Sequence, residues 1–173
     1  MGGVQMTKKE ALEKMMTPEM KDGIRELQSA VEVYNRNSND ITYGEVILAF
    51  FTAAKYEKVA FCPVESMHMD KGAFEPGKVN TTIGKCYVLC TSPEEAALCP
   101  EPVIVVIGMD HIVATAAEDP ACGGLCLNPY GGYPCTLPRE YIRRILGMRP
   151  SERPTNLTPA KKRNSDGSVE YYQ

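Results

Sequence analysis

The chain has 173 residues, within the range of about 100–200 that one domain usually takes, and its 43% hydrophobic and 24% charged residues are the proportions of an ordinary globular protein rather than of a disordered or fibrous one. The formal net charge is −3 with both signs interleaved, so no large positive field exists to hold a nucleic-acid backbone or an anionic membrane. The N-terminal stretch MGGVQMTKKEALEKMM becomes charged at once and carries no apolar run of signal-peptide length, which sets the expectation of a cytoplasmic protein.

Helix signals fill the first third. Thr7-Lys8-Lys9-Glu10 places a hydroxyl three residues before a carboxylate, the capping-box pattern that satisfies two terminal amides reciprocally, and predicts a helix to about Met16. Thr17-Pro18 stops it and starts another, in which Met20, Ile24, Leu27, Val31 and Tyr34 recur at helical spacing while Lys21, Asp22, Arg25, Glu26 and Glu32 fall on other faces. After a polar turn from Asn35 to Asp40, Thr42-Tyr43-Gly44-Glu45 reads as a second capping box. It leads into Val46, Ile47, Phe50, Phe51 and Ala54, a broad apolar face that predicts the most buried helix of the chain.

From Lys58 the pattern becomes short β-rich runs at Val59–Val64, Lys85–Thr91, Val103–Ile107 and Leu125–Asn128. The first three are apolar at nearly every position, as in strands covered on both faces. Short helices are predicted from Pro93, from Asp110 to Ala117 with Asp110 as its cap, and from Pro138 to Leu146 before Gly147. The stretch Met67–Thr82 reads as a long loop, and residues 148–173, with Pro150, Pro154 and Pro159, as a flexible tail. The longest apolar runs are about half of the roughly 20 residues that span a bilayer, so no membrane segment is expected. These elements define an α+β class: N-terminal helices, then a mixed sheet with short flanking helices, forming one domain over 1–147.

Three stretches, KVAFCPV, GKCYVLCTSPEEA and GLCLNPYGGYPCTLPREYIRRIL, together with the order of elements, resemble the SseB N-terminal domain family of small bacterial mixed α/β domains. The resemblance covers about Pro18 to Leu146. It implies a cytoplasmic bacterial domain with no established catalytic residues and no cofactor, and therefore assigns no active site to these positions. The chain departs from that family in its many cysteines.

Those cysteines repeat their spacing: Cys86, Cys90 and Cys99 are set apart as Cys122, Cys126 and Cys135 are, and LCTSP parallels LCLNP. As metal ligands they fit poorly, because residues four apart on one strand lie about 13 Å apart whereas zinc holds each thiolate at about 2.3 Å. Neither His68 nor His111 has ligand spacing to them, and no Cys-x-x-Cys is present, so no metal is expected. The odd count of seven and a reducing compartment argue against a disulfide framework. Free, largely core-filling thiols follow, with Cys135, near Arg139 and ahead of the last helix, as the one weak nucleophile candidate.

Nucleophile-elbow, phosphate-loop and dinucleotide motifs are absent from the sequence, so no catalytic residue is assigned. What remains is a binding surface at the ends of two strands: Thr91 and Ser92 after one, and Asn128, Tyr130, Gly131, Gly132 and Tyr133 after the other. Turn formation accounts for Asn128, the glycines and Pro134, whereas two amphipathic rings flanking a bend are residues of the kind that anchor partners. The expected function is a non-enzymatic binding or regulatory domain with a protein or small-ligand partner, a homodimer being left open. The alternative is a thiol- or metal-dependent enzyme built on the patterned cysteines.

Overall fold

Thr7 opens the first helix as its side chain suggests: the Glu10 N–H donates to Thr7 Oγ1 (3.1 Å) and the Thr7 N–H donates to Glu10 Oε2 (3.0 Å), closing the capping box. The computed structural model describes residues 6–68, 73–131, 134–147, 161–163 and 169–171. Helix α1 runs Lys8–Met15, α2 Pro18–Arg36 behind the Thr17 cap, and α3 Asp40–Lys55. Helix α3 carries the largest buried set of the three, including Val46, Leu48, Ala49, Phe50 and Phe51, as its uninterrupted apolar face predicts. Its N-cap is Asn39 rather than Thr42: Asn39 Oδ1 accepts from the N–H groups of Ile41 and Thr42, and the Thr42 hydroxyl completes a capping box from the third helical position. Asparagine is as good a cap as threonine, and it comes first.

The second half is β-rich: β1 Val59–His68, β2 Ala73–Pro76, β3 Lys78–Thr81, β4 Gly84–Leu89, β5 Ile104–Gly108, β6 Gly124–Leu127 and β7 Cys135–Pro138. Short helices α4 Pro93–Ala97, α5 Met109–Glu118 and α6 Arg139–Gly147 lie between and after them. One sheet has the order β2-β1-β5, all antiparallel; the other has the order β3-β4-β6-β7, with β4 and β6 parallel. The expected α+β class is what the chain forms.

Two features join the sheets. The Phe61 N–H donates to the Cys90 carbonyl (3.0 Å) and the Cys90 N–H to the Phe61 carbonyl (2.8 Å), linking mid-β1 to the end of β4. Between β2 and β3, Gly77 donates to the Pro63 carbonyl (2.8 Å) and accepts from the Val88 N–H (2.9 Å), so the segment leaves one sheet and enters the other at a single residue. A Cβ at Gly77 would stand 3.0 Å from Pro63 Cγ, which is why the corner carries glycine.

The stretch Met67–Thr82, expected as a loop, therefore holds the end of β1 and all of β2 and β3; its residues 69–72 lie outside the described residues. Its few apolar residues are explained by burial on one side only: Phe74 and Val79 pack against the core while Ala73, Glu75 and Asn80 are exposed. Of the expected tail, 148–173, a small hairpin of β8 Lys161–Arg163 and β9 Val169–Tyr171 is described, and the rest lies outside the described residues. Asp110 does not cap α5; Gly108 occupies the cap position without a side-chain bond, and Asp110 lies in the first turn, where a carboxylate is still favourable to the helix dipole. Helices α2, α3, α5 and α6 enclose β4, β6 and β7 in one continuous core around Phe50, Phe61, Leu89, Leu125 and Leu137. No helix among the described residues is long and apolar enough to cross a membrane.

Candidate functional site

Because β4 and β6 are parallel and in register, Leu89 beside Leu127, the two expected turn segments begin side by side. The Asn128 N–H donates to the Leu89 carbonyl (3.0 Å), extending the ladder one residue past β6. There the chain turns through a left-handed residue, Asn128 at φ 53°, a conformation that asparagine tolerates better than most side chains. Its side chain then reaches across: Oδ1 accepts from the Thr91 N–H (2.9 Å) and Nδ2 donates to Thr91 Oγ1 (3.0 Å). Gln28 of α2 donates to the Thr91 carbonyl (2.5 Å), so all the polar groups of Thr91 are engaged.

Thr91 and Asn128 are each only 2% exposed, which corrects their expected place on a binding surface. Buried polar groups that satisfy one another cost little, and breaking into them for a ligand would leave several unpaired. Ser92 is the N-cap of α4, accepting from the Glu95 N–H (3.2 Å), and keeps a half-buried position. Tyr130 is half-buried and packs on the core; burial first, then the charges of Glu101 and Cys99, holds its phenol above the ordinary value. Gly131 faces the Glu95 carboxyl, which burial and Glu94 raise above the usual carboxylate range. Gly132 and Tyr133 lie outside the described residues. Of the expected surface residues that are described, Ser92, Tyr130 and Gly131 are the half-buried ones.

All seven cysteines are buried and free. Their repeated spacing is not a repeat of structure: Cys90 and Cys99 are joined through α4, whereas Cys126 and Cys135 lie on adjacent strands, with Leu127 opposite Cys135. Cys90 Sγ and Cys99 Sγ are 3.4 Å apart. Among the described residues no three His, Cys, Asp or Glu side chains are grouped to hold a metal ion.

Cys135, the weak nucleophile candidate, sits on β7, with α6 starting only at Arg139. It is 1% exposed, and burial pushes its thiol up to about 12. No helix dipole or cation lowers it, and the expectation is corrected accordingly. Burial likewise lifts the thiols of Cys62 and Cys126 to about 12.

These thiols make stability depend on pH in one direction. Their folded values lie above the ordinary value of 9.0, so the unfolded chain gives up protons that the folded one retains. The contribution is fully present below about pH 9 and is lost as pH rises toward about 12. The melting temperature is expected to stay level from pH 7 to about pH 8.5 and then to fall, reversibly, in thermal scans under a reductant. Cys135→Ala should soften that fall, because one of the titrating groups is gone.

Strand β5 is the largest departure from sequence expectation. Predicted to be covered on both faces, it is an edge strand, half-buried at each of Ile104, Val105, Val106, Ile107 and Gly108. The register fixes which backbone groups point outward. Phe61 spends its N–H and carbonyl on Cys90, and Pro63 gives its carbonyl to Gly77, both on the side of β1 away from β5. Their partners Val106 and Ile104 must therefore turn their own N–H and carbonyl groups away from β1. No strand pairs with that outer edge among the described residues. Comparison with known proteins finds no matching family, no matching curated protein and no matching solved structure.

Proposed function

We propose that this chain is a non-enzymatic protein-binding domain that takes up an extended polypeptide along the outer edge of β5. The observation that carries the reading is that edge: alternating unpaired backbone groups at Ile104 and Val106, half-exposed aliphatic side chains on both faces, and no charged residue along the strand. Edge strands are ordinarily blunted by lysine, proline or a bulge, because a bare one templates another strand. Here none of these devices is present on β5. Strand addition supplies affinity through main-chain hydrogen bonds and specificity through alternate side chains, so the partner presents an uncharged, β-branched or aliphatic strand. The resemblance of KVAFCPV, GKCYVLCTSPEEA and GLCLNPYGGYPCTLPREYIRRIL to the SseB N-terminal domain family is in keeping with a bacterial, cytoplasmic setting and a regulatory rather than catalytic role.

Backbone amide exchange tests the reading with a lysine-flanked peptide of alternating valine and threonine as probe. The amides of Ile104 and Val106 are expected to slow at least tenfold on adding the peptide, while those of Val105 and Ile107, already paired with β1, change little. Val106→Pro removes an outward N–H that the β1 ladder does not use, so this variant should fold and lose the peptide-induced protection. Protection appearing only elsewhere, or unaltered in the folded proline variant, would refute strand addition at β5. Protection that rises with protein concentration alone identifies a second copy of the chain as the strand donor.

A further inference from the structure

We propose that Cys90 and Cys99 are a modification site, a thiol pair that a peroxide converts into a reversible intrachain disulfide tying the end of β4 to the end of α4. The proposal is independent of strand addition at β5. It begins from the 3.4 Å between the two sulfurs, which share a hydrogen bond. A disulfide closes that gap to about 2.05 Å, and both backbones are already fixed on either side of it. Cys90 exchanges two main-chain hydrogen bonds with Phe61, and the Cys99 N–H donates to the Ala96 carbonyl (3.2 Å). Lys8 Nζ, coming from α1, donates to the carbonyls of Cys99 (2.6 Å) and Glu101 (2.7 Å) and straps the segment down from outside. Between the cysteines lie the Thr91–Ser92 corner, the short helix α4 and its cap Leu98, so the loop to be closed lies outside the strands of the sheet.

The pair is chemically asymmetric. Cys90 is fully enclosed; the hydrogen bond with Cys99 and burial both favour its protonated form. Either sulfur can donate the hydrogen bond; with Cys90 as donor it favours the Cys99 thiolate against the opposing effect of burial, and the Lys8 cation adds to this while Glu101 and Glu95 oppose it. Cys99 is therefore the attacking sulfur. Its thiolate attacks one peroxide oxygen, the O–O bond breaks, and Cys99 becomes a sulfenic acid while the departing hydroxide takes up a proton to become water. The Cys90 sulfur then attacks the Cys99 sulfur, the S–O bond breaks, and the Cys90 proton leaves with the hydroxide as a second water. Two thiols lose two electrons in all, and one peroxide is reduced to two waters.

Entry is the remaining requirement, since Cys99 is only 3% exposed. The chain leading into Cys99 is α4, five residues long and packed between α1 and β1, followed by the exposed Leu98 and Pro100. A helix this short has little stability of its own and opens locally more readily than the sheet beneath it. Oxidation should accordingly be slower than at a surface thiol and faster than at Cys126 or Cys135 within the sheet.

The experiment treats the folded full chain with hydrogen peroxide, blocks remaining thiols with N-ethylmaleimide, and maps peptides without reduction. Cleavage after Glu94 or Glu95 separates the two cysteines, cleavage after Glu118 separates Cys99 from those that follow, and chymotryptic cleavage after Tyr87 separates Cys86 from Cys90. The expected product is a Cys90–Cys99 crosslink, lighter by two hydrogens and reopened by dithiothreitol. In Cys90→Ser the sulfenic acid loses the thiol 3.4 Å away, so dimedone should label Cys99; in Cys99→Ser, Cys90 should stay unlabelled. The wild-type map alone decides the matter if a variant does not fold. A first crosslink between any other pair, or peroxide that oxidises exposed Met67 while Cys90 and Cys99 remain thiols, would overturn the proposal, and labelling of Cys90 in Cys99→Ser would overturn the assignment of the attacking sulfur.

Discussion

Gly124→Ala is expected to prevent the chain from reaching its native sheet, with a loss of more than about 4 kcal/mol. Gly124 opens β6 at φ 144°, a region open in practice only to glycine. A Cβ built there would fall inside the van der Waals shell of the Leu137 carbonyl oxygen and 2.9 Å from the Arg139 amide nitrogen. Both are backbone atoms of the β7–α6 junction, and β6 is held between β4 and β7. Neither neighbour can retreat without giving up its ladder. Against a total stability of about 5–15 kcal/mol, such a loss removes the cooperative transition or lowers it by more than about 10 °C. Gly131→Ala and Gly147→Ala are the controls. The first has the movable Glu95 carboxyl as its nearest neighbour and the second meets nothing within 4 Å, so each should change stability by less than about 1 kcal/mol. A Gly124→Ala protein that melts within a few degrees of the parent would refute the account.

Asn128→Ala should cost about 3–4 kcal/mol, or about 10 °C in melting temperature. It strips a buried donor and acceptor from Thr91 and leaves alanine at positive φ. Asn128→Gly separates the two causes, because glycine loses the same hydrogen bonds without the conformational cost and should recover about 1 kcal/mol. Equal losses in the two variants would mean that the left-handed turn is unstrained. A loss under about 1 kcal/mol in either would mean that water replaces the bonds to Thr91. Calorimetry on the three proteins makes the comparison.

What the sequence reveals depends on whether a residue's partner is near it in the chain. Thr7 with Glu10, the stripe of Ile24, Leu27 and Val31, and the Ser92-Pro93 start of α4 are all satisfied within a turn or two, and the structure has them as read. The shift of the α3 cap from Thr42 to Asn39 is a choice between two adequate caps a few residues apart. The larger departures involve distant partners. β2 and β3 escape detection because a strand buried on one side needs few apolar residues, and because Gly77, a breaker in isolation, is favoured by the close approach of Pro63. β5 reads as central because its composition is that of a covered strand; only its place in the sheet order exposes it. Asn128 is legible as a turn residue, yet the Thr91 it binds comes from the neighbouring parallel strand. The same holds for Cys90: the spacing to Cys99 attracts notice, but the contact exists because α4 folds the chain back on itself.

The parallel pairing of β4 with β6 also sets a tempo for folding. Between these strands lie α4, β5 and α5, so Val88 meets Cys126 only by closing a long loop. The α2–α3 pair and the β3–β4 hairpin involve neighbouring segments and close quickly, whereas the long loop ending at β6 meets its entropic cost before any ladder bond offsets it. Refolding should therefore run on a timescale of about milliseconds to seconds rather than microseconds. In the interval the β6-facing edge of β4, apolar from Tyr87 to Leu89, stands open. That interval, more than any weakness of the finished fold, is when the chain is most exposed to pairing with the wrong strand, and it should lengthen in a circular permutant opened between β4 and β6, which leaves the two strands joined only by the longer way round.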